Sequence, residues 1–264
     1  MNGEAIKPDA VTVRRCEGLD ELRACVALQK EIWNFSDAEL VPLRMFVVAE
    51  KVGGQVMGAF TGRENEMVGF ALSVPGTRSG HIYLHSHMLA VRKDHRNGGL
   101  GRRLKMLQRE DALTRGIDLI EWTFDPLEIK NAYLNIEKLG AISRRYNINQ
   151  YGFTSSPLQG GLPSDRLIAE WWLRSQRVEI LLATGRNMAF REQATVEVPA
   201  QVYEWKAGAE TRSKAQRVQE RNREQFLRAF DNGMAVLGYE RDAAGNGKFR
   251  LGSWNEQWSY ASQE

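Results

Sequence analysis

The sequence predicts an α/β (α+β) chain in which a mixed sheet carries helices on its faces and an α+β extension follows. Three observations lead there. Through residue 153, runs rich in β-branched and aromatic residues alternate with stretches of helical periodicity, and such alternation packs helices onto a sheet. A glycine-rich turn, with Gly98, Gly99 and Gly101, stands where a strand-like run hands over to an amphipathic helix. The stretch TSSPLQGGLPSD at 154–165 has the composition of a linker or ordered surface loop. It divides the chain into 1–153 and an extension, 154–264, expected to pack on the first part.

Taken in order, 11–15 reads as a short strand and 19–33 as a helix, since Leu22, Cys25, Val26, Leu28, Ile32 and Trp33 recur at near-helical spacing. A second helix is predicted over 42–52, stopped by Gly53 and Gly54. Strands follow at 55–61 and 67–74, joined by a polar turn at 62–65, and then at 81–91. Residues 101–115 suit a helix ending at Gly116, 117–124 a strand broken by Asp125-Pro126, 127–139 a helix closed by Gly140, and 142–150 a returning strand. Beyond the linker, strands are predicted at 166–173, 195–198, 234–239 and 248–251, with one long charged helix at 211–233.

Composition narrows the function. Of 264 residues, 42% are hydrophobic and 26% charged, the proportions of an ordinary globular protein. The formal charge of +3 can help attract a phosphorylated ligand but does not indicate nucleic acid. Residues 1–15 carry scattered charges and no signal-peptide core. No apolar run approaches the ~20 residues that span a bilayer. Cys16 and Cys25 are the two cysteines, too few for a disulfide framework. A cytoplasmic protein with reduced thiols and no membrane association is expected.

The chemistry centres on LHSHMLAVRKDHRNGGLGRRLKMLQ, Leu84 to Gln108. Glycines between a strand and a helix let backbone N–H groups approach a phosphate, and the start of the helix favours an anion. Arg96, Arg102 and Arg103 add charge nearby. A merely structural turn is the competing reading. A P-loop is excluded because no Gly-Lys-(Ser/Thr) follows, and the glycine spacing is not that of a dinucleotide fold.

The segment resembles the acetyl-CoA loop of the GNAT family of acetyltransferases, (Gln or Arg)-x-x-Gly-x-(Gly or Ala), preceded by an apolar-Ala-Val strand end. Arg96-Asn97-Gly98-Gly99-Leu100-Gly101 fits that form, and Leu89-Ala90-Val91 precedes it. NAYLNIEKLG, Asn131 to Gly140, is similar to the helix that these enzymes place against pantetheine. With WTFDPL at 122–127 and SDRLIAEWWL at 164–173, it looks like a GNAT subfamily with no assigned acceptor. The resemblance implies a twisted, mostly antiparallel sheet flanked by helices. It implies acetyl-CoA as co-substrate, a small-molecule amine as acceptor and direct acyl transfer. The pyrophosphate would rest on Arg96 to Gly101 with Arg102 nearby, and pantetheine would pair with the strand edge at Met88 to Val91, with Asn131 as a partner.

His85 and His87, two apart on a strand, share a face. HSHMLAV is similar to the HxHxLAV strand of serotonin N-acetyltransferase, whose histidines help drain a proton from the amine. The alternative is a pair of hydrogen-bonded strand histidines, and His87 is preferred as the catalytic one. His81 extends the face, but without local cysteines no metal site is expected. Where the family carries an acidic tyrosine before Glu-Lys-x-Gly, this chain has Ile136. Tyr133, one turn earlier, and Tyr146 or Tyr151 are the candidate replacements. The same departure leaves open a catalytically silent, CoA-binding protein. Glu121 and Asp125 could serve an amine, although capping suits Asp125 better, and Trp171-Trp172 reads as sheet packing. The helix at 211–233 reads as a solvated face packing on the first part of the chain, with a lid or a homodimer contact as alternatives.

Overall fold

The computed structural model describes residues 11–62, 65–152 and 159–254. The N-terminal stretch at 1–10 and the part of the linker at 154–158 lie outside them. The contacts divide the chain into two compact units. The first runs to Gly76 and takes in Leu84–Arg115, and the second comprises Thr77–Tyr83 and everything from Gly116. This differs from the 1–153 and 154–264 division read from the sequence.

The first unit contains β1 (Thr12–Arg15), α1 (Gly18–Trp33), α2 (Leu43–Lys51), β2 (Gln55–Phe60), most of β3 (Met67–Arg78) and β4 (His81–Val91), and α3 (Leu100–Thr114). Its strands lie in the order β1-β2-β3-β4, and β2 pairs antiparallel with both β1 and β3. Every residue of β2 is buried, because both faces of the sheet are covered. On one side Val56, Phe60, Phe70 and Leu72 meet Leu22, Cys25 and Leu28 of α1 and Phe46 and Ala49 of α2. On the other, Met57, Ala59, Val68 and Ala71 meet Leu100 and Leu104 of α3. Each buried aliphatic side chain contributes about 1.5–3 kcal/mol. Cys16 and Cys25 are free and buried.

The second unit contains β5 (Leu119–Phe124), α4 (Ile129–Ala132) with a π-helical turn at Tyr133–Lys138, β6 (Tyr146–Asn147), β7 (Arg166–Trp172), α5 (Gln176–Thr184), β8 (Ala194–Val198), α6 (Val202–Ala207), α7 (Arg212–Asp231), β9 (Met234–Arg241) and β10 (Gly247–Ser253). Its strands run β5-β7-β6 and, in a separate sheet, β8-β10-β9, and the pairings are antiparallel. Trp171 and Trp172 are buried in this packing. α7 turns Ala215, Val218, Phe226 and Ala229 inward, and Phe226 stacks on Tyr146 at 5.8 Å. Arg223 of α7 reaches buried Asp165 at 2.8 Å.

Three expectations change. The strand predicted over 142–150 is reduced to bridges at Ile142 and Ser143 and the two residues of β6. Asn149, at φ 47, turns the chain, and its N–H donates to Asp165. The predicted helix at 127–139 starts at Ile129 and widens into the π turn, closed by Leu139 N–H to Leu134 O at 3.0 Å. α5 and α6 were not foreseen, although Ser175 caps α5 through the Val178 N–H and Gly185, at φ 72, stops it.

Gly54 links α2 to β2 with no room for a side chain. A Cβ there would lie 2.3 Å from Ser73 O and 2.7 Å from Ala49 O, both rigid backbone. Gly54→Ala is expected to cost about 2 kcal/mol or more in urea unfolding, and an unchanged midpoint would contradict this packing.

Candidate functional site

Strand β4, the turn after it and the start of α3 form one continuous stretch in the first unit. β4 ends at Val91, and Arg92 N–H donates to Val68 O at 2.9 Å. A 3₁₀ turn at Lys93–His95 follows. The chain then enters the helix through two left-handed residues, Asn97 at φ 66 and Gly99 at φ 79. Asparagine and glycine are the residues that take this conformation with least strain. Gly99 is the N-cap of α3, no side chain caps the helix, and its first turn holds no acidic residue. The first N–H groups of α3 are therefore left for solvent or a ligand. A Cβ built on Gly98 or Gly99 meets nothing within 4 Å, so the backbone is open to approach. Leu100 and Leu104 are buried and hold the helix end in place. Gly101 lies within the first turn. Arg96 and Arg102 are exposed, and Arg96 Nε donates to Val91 O at 2.8 Å, which ties the turn back to the strand.

The strand has an irregularity that its sequence did not announce. Ser86 Oγ accepts from Lys105 Nζ at 2.7 Å and donates to Gln108 Oε1 at 3.0 Å, so Ser86 faces α3. Strict alternation would put Met88 and Ala90 on that side as well. They belong instead to the cluster around α1 and α2, while Leu89 and Val91 pack toward Leu100 and Leu104. The period of two slips by one residue between Ser86 and Met88, at His87, which is the signature of a β-bulge. Leu89, Ala90 and Val91 use their side chains in packing, and what they can offer a ligand is backbone.

His85 and His87 are neighbours as expected, with ring centroids 6.2 Å apart. His85 is half-buried, and His87 keeps an exposed edge. Protein atoms nevertheless thin the water around the His87 ring, and that desolvation lowers its pKa from the ordinary imidazole value. His87 thus favours the neutral, proton-accepting form. His81 is exposed. Among the described residues no group of three or more His, Cys, Asp or Glu is placed to hold a metal ion.

The other expected residues lie in the second unit. Asn131 is exposed on α4. Tyr133 opens the π turn half-buried, with Lys138 Nζ 5.1 Å and Arg241 Cζ 6.0 Å from its ring centre. The i→i+5 bonding of a π turn widens the helix, so the three-residue step from Tyr133 no longer restores the face of Ile136, which is fully buried. Tyr146 is engaged elsewhere: its hydroxyl donates to buried Asp165 at 2.7 Å, and burial followed by that bond raises its pKa. Tyr151 OH lies 3.1 Å from Thr123 Oγ1. Glu121 is buried and held by Arg78 at 2.6 and 2.8 Å and by Arg145. That leaves it no role toward an amine. Asp125 accepts from Leu127 N–H at 2.8 Å, which is the capping role expected of it. Sequence reasoning missed Ser86, Lys105 and Gln108. The only available signal was a lysine adjoining the inward Leu104, which read as part of a charged face.

The sequence model described as the acetyltransferase (GNAT) family matches residues 20–133. No functionally curated protein matches the chain. Among solved structures, an Acinetobacter baylyi ADP1 protein described as an acetyltransferase superposes with a TM-score of 0.50 at 16% identity, covering 65% of this chain and 97% of its own. Arabidopsis thaliana NAA60, solved with a bisubstrate analogue, gives 0.50 at 11% identity, covering 62% of this chain and 98% of its own. At such identities the likeness establishes the fold.

Gly99 and Gly98 are open alike but differ in φ. Gly99→Ala is expected to cost about 1 kcal/mol, the left-handed penalty for a residue with a Cβ, and Gly98→Ala under about 0.5 kcal/mol. Equal costs in urea unfolding would contradict the turn geometry.

Proposed function

From the match of residues 20–133 to the sequence model of the acetyltransferase (GNAT) family, we propose that the protein is an acyl-CoA-dependent N-acyltransferase that moves acetyl from acetyl-CoA to a primary amine by direct attack. The observation that carries this reading is the uncapped start of α3, entered through Asn97 and Gly99, directly after a slipped strand bearing His85 and His87. Bare N–H groups and the helix dipole suit a pyrophosphate. Arg96 and Arg102 add positive charge beside it. A bulge breaks the strand's ladder and frees backbone groups to pair with pantetheine and to polarise the thioester carbonyl.

In this mechanism His87 takes the proton of the ammonium through water, with His85 beside it. The free amine attacks the carbonyl carbon, the C–S bond breaks as the nitrogen gives up its second proton to water, and the leaving thiolate takes up a proton. An alkylamine has a pKa of about 10.4, so a base is required near neutrality. A lowered pKa keeps His87 unprotonated to a lower pH. Water is the proton source for the thiolate. A second reading, a CoA-binding protein without catalysis, is favoured by Ile136: an apolar, fully buried side chain stands where the family has its acidic tyrosine.

Incubation with acetyl-CoA and a panel of amines, following free thiol, separates the two readings; tight CoA binding without turnover would leave the second. Gly99→Glu is expected to weaken CoA binding at least about tenfold, since it sets a carboxylate against the pyrophosphate and strains the turn. Arg96→Ala should weaken it less. Unchanged calorimetric affinity in Gly99→Glu would remove the cofactor assignment. His87→Ala is expected to lower kcat by about 100-fold with little change in KM for acetyl-CoA. Protonating His87 abolishes its action as a base, so the acid limb of kcat/KM should fall below the unperturbed value of about 6.5. A limb above that value, or one that survives His87→Ala, would exclude His87 as the base.

A further inference from the structure

Helix α3 carries two polar residues, Lys105 and Gln108, on its inward face among Leu100, Leu104 and Ala112. Lys105 is only 2% exposed. Burying an amine forfeits its hydration, and an unbranched apolar side chain would fill the same space without that loss. The Lys105 Nζ donates to Ser86 Oγ, which passes its own hydrogen to Gln108 Oε1. The grip extends across the sheet. Gln55 Nε2 donates to Gln108 O at 2.9 Å and to Asp111 at 2.7 Å, and Ser73 Oγ donates to Gln55 Oε1 at 2.9 Å. Ser86 is the last residue of β4 before the slip at His87. A strand whose alternation shifts by one residue needs something to say where, because the same chain with its period kept would exchange the faces of every residue beyond.

We infer that Lys105 is a positioning residue: by holding Ser86 against α3 it fixes where β4 slips, and so places His87 and the freed backbone beside it. The inference rests on the cofactor reading above, and it gives α3 two tasks. Its first turn receives the pyrophosphate, and its second and third turns hold the strand that meets the rest of the cofactor.

The test compares coenzyme A with its nucleotide half, 3′-phosphoadenosine 5′-diphosphate, by calorimetry on the full chain and on Lys105→Met and Ser86→Ala. The nucleotide half reaches the loop and has no pantetheine arm. Both variants are expected to bind it within twofold of wild type while binding coenzyme A at least tenfold more weakly. The His87 imidazole resonance should move in both, and that of His95, in the turn, should stay; with four histidines in the chain the spectrum is simple. A role confined to stability would lower the melting temperature and leave the ratio of the two affinities and the His87 resonance unchanged, and that result overturns the inference. Should Lys105→Met not fold, Ser86→Ala decides alone. Should wild type bind neither ligand, the cofactor reading fails, and the His87 resonance in Ser86→Ala then decides the positioning role by itself.

Discussion

The turn from β4 into α3 is the constraint from which the rest of the site follows. To enter the helix without a capping side chain, the chain places Asn97 and Gly99 in the left-handed region. That leaves the first N–H groups of α3 open, beside arginines and with no acidic residue in the first turn. The arrangement would be of little use on a mobile helix. Leu100 and Leu104, packed against Met57, Ala59, Val68 and Ala71, hold the helix end to the sheet, and Arg96 ties the turn to the carbonyl of Val91.

The same helix organises the strand before it. An α3 that faced the sheet with aliphatic residues throughout would bury more apolar area. Instead it carries Lys105 and Gln108 inward, and these meet Ser86, Gln55 and Ser73 in a connected polar network. Such a network is directional, whereas apolar packing tolerates sliding. Directional contacts are what a strand with a slipped period requires. Burial also pushes the Lys105 ammonium well below its ordinary pKa, because desolvation disfavours the charged form.

Much of this was legible in the sequence, for identifiable reasons. Residues 81–91 and the helix after them have bounds close to those the sequence predicts, because an apolar and aromatic run, then glycines, then spaced leucines are strong local signals. The glycine turn and the histidine pair were legible for the same reason. The slip at His87 was not, since HSHMLAV keeps an unbroken strand pattern and the break appears only in which layer each side chain meets. The polar interior of α3 was hidden because a lysine between leucines looks like a solvated position. The wide turn at Tyr133–Lys138 was hidden because i→i+5 bonding leaves no mark in composition. Ile142 to Gln150 misled because apolar and polar residues alternate there, while Asn149 and the bonds to Asp165 turn the chain.

The most direct measurement of the central claim is a crystal structure of the full chain with coenzyme A bound. The account predicts the pyrophosphate on the backbone N–H groups of Gly98 to Gly101, with the pantetheine arm running along β4 and its sulfur beside His87. A pyrophosphate bound elsewhere, or a β4 that keeps its period of two through His87 and Met88, would contradict it.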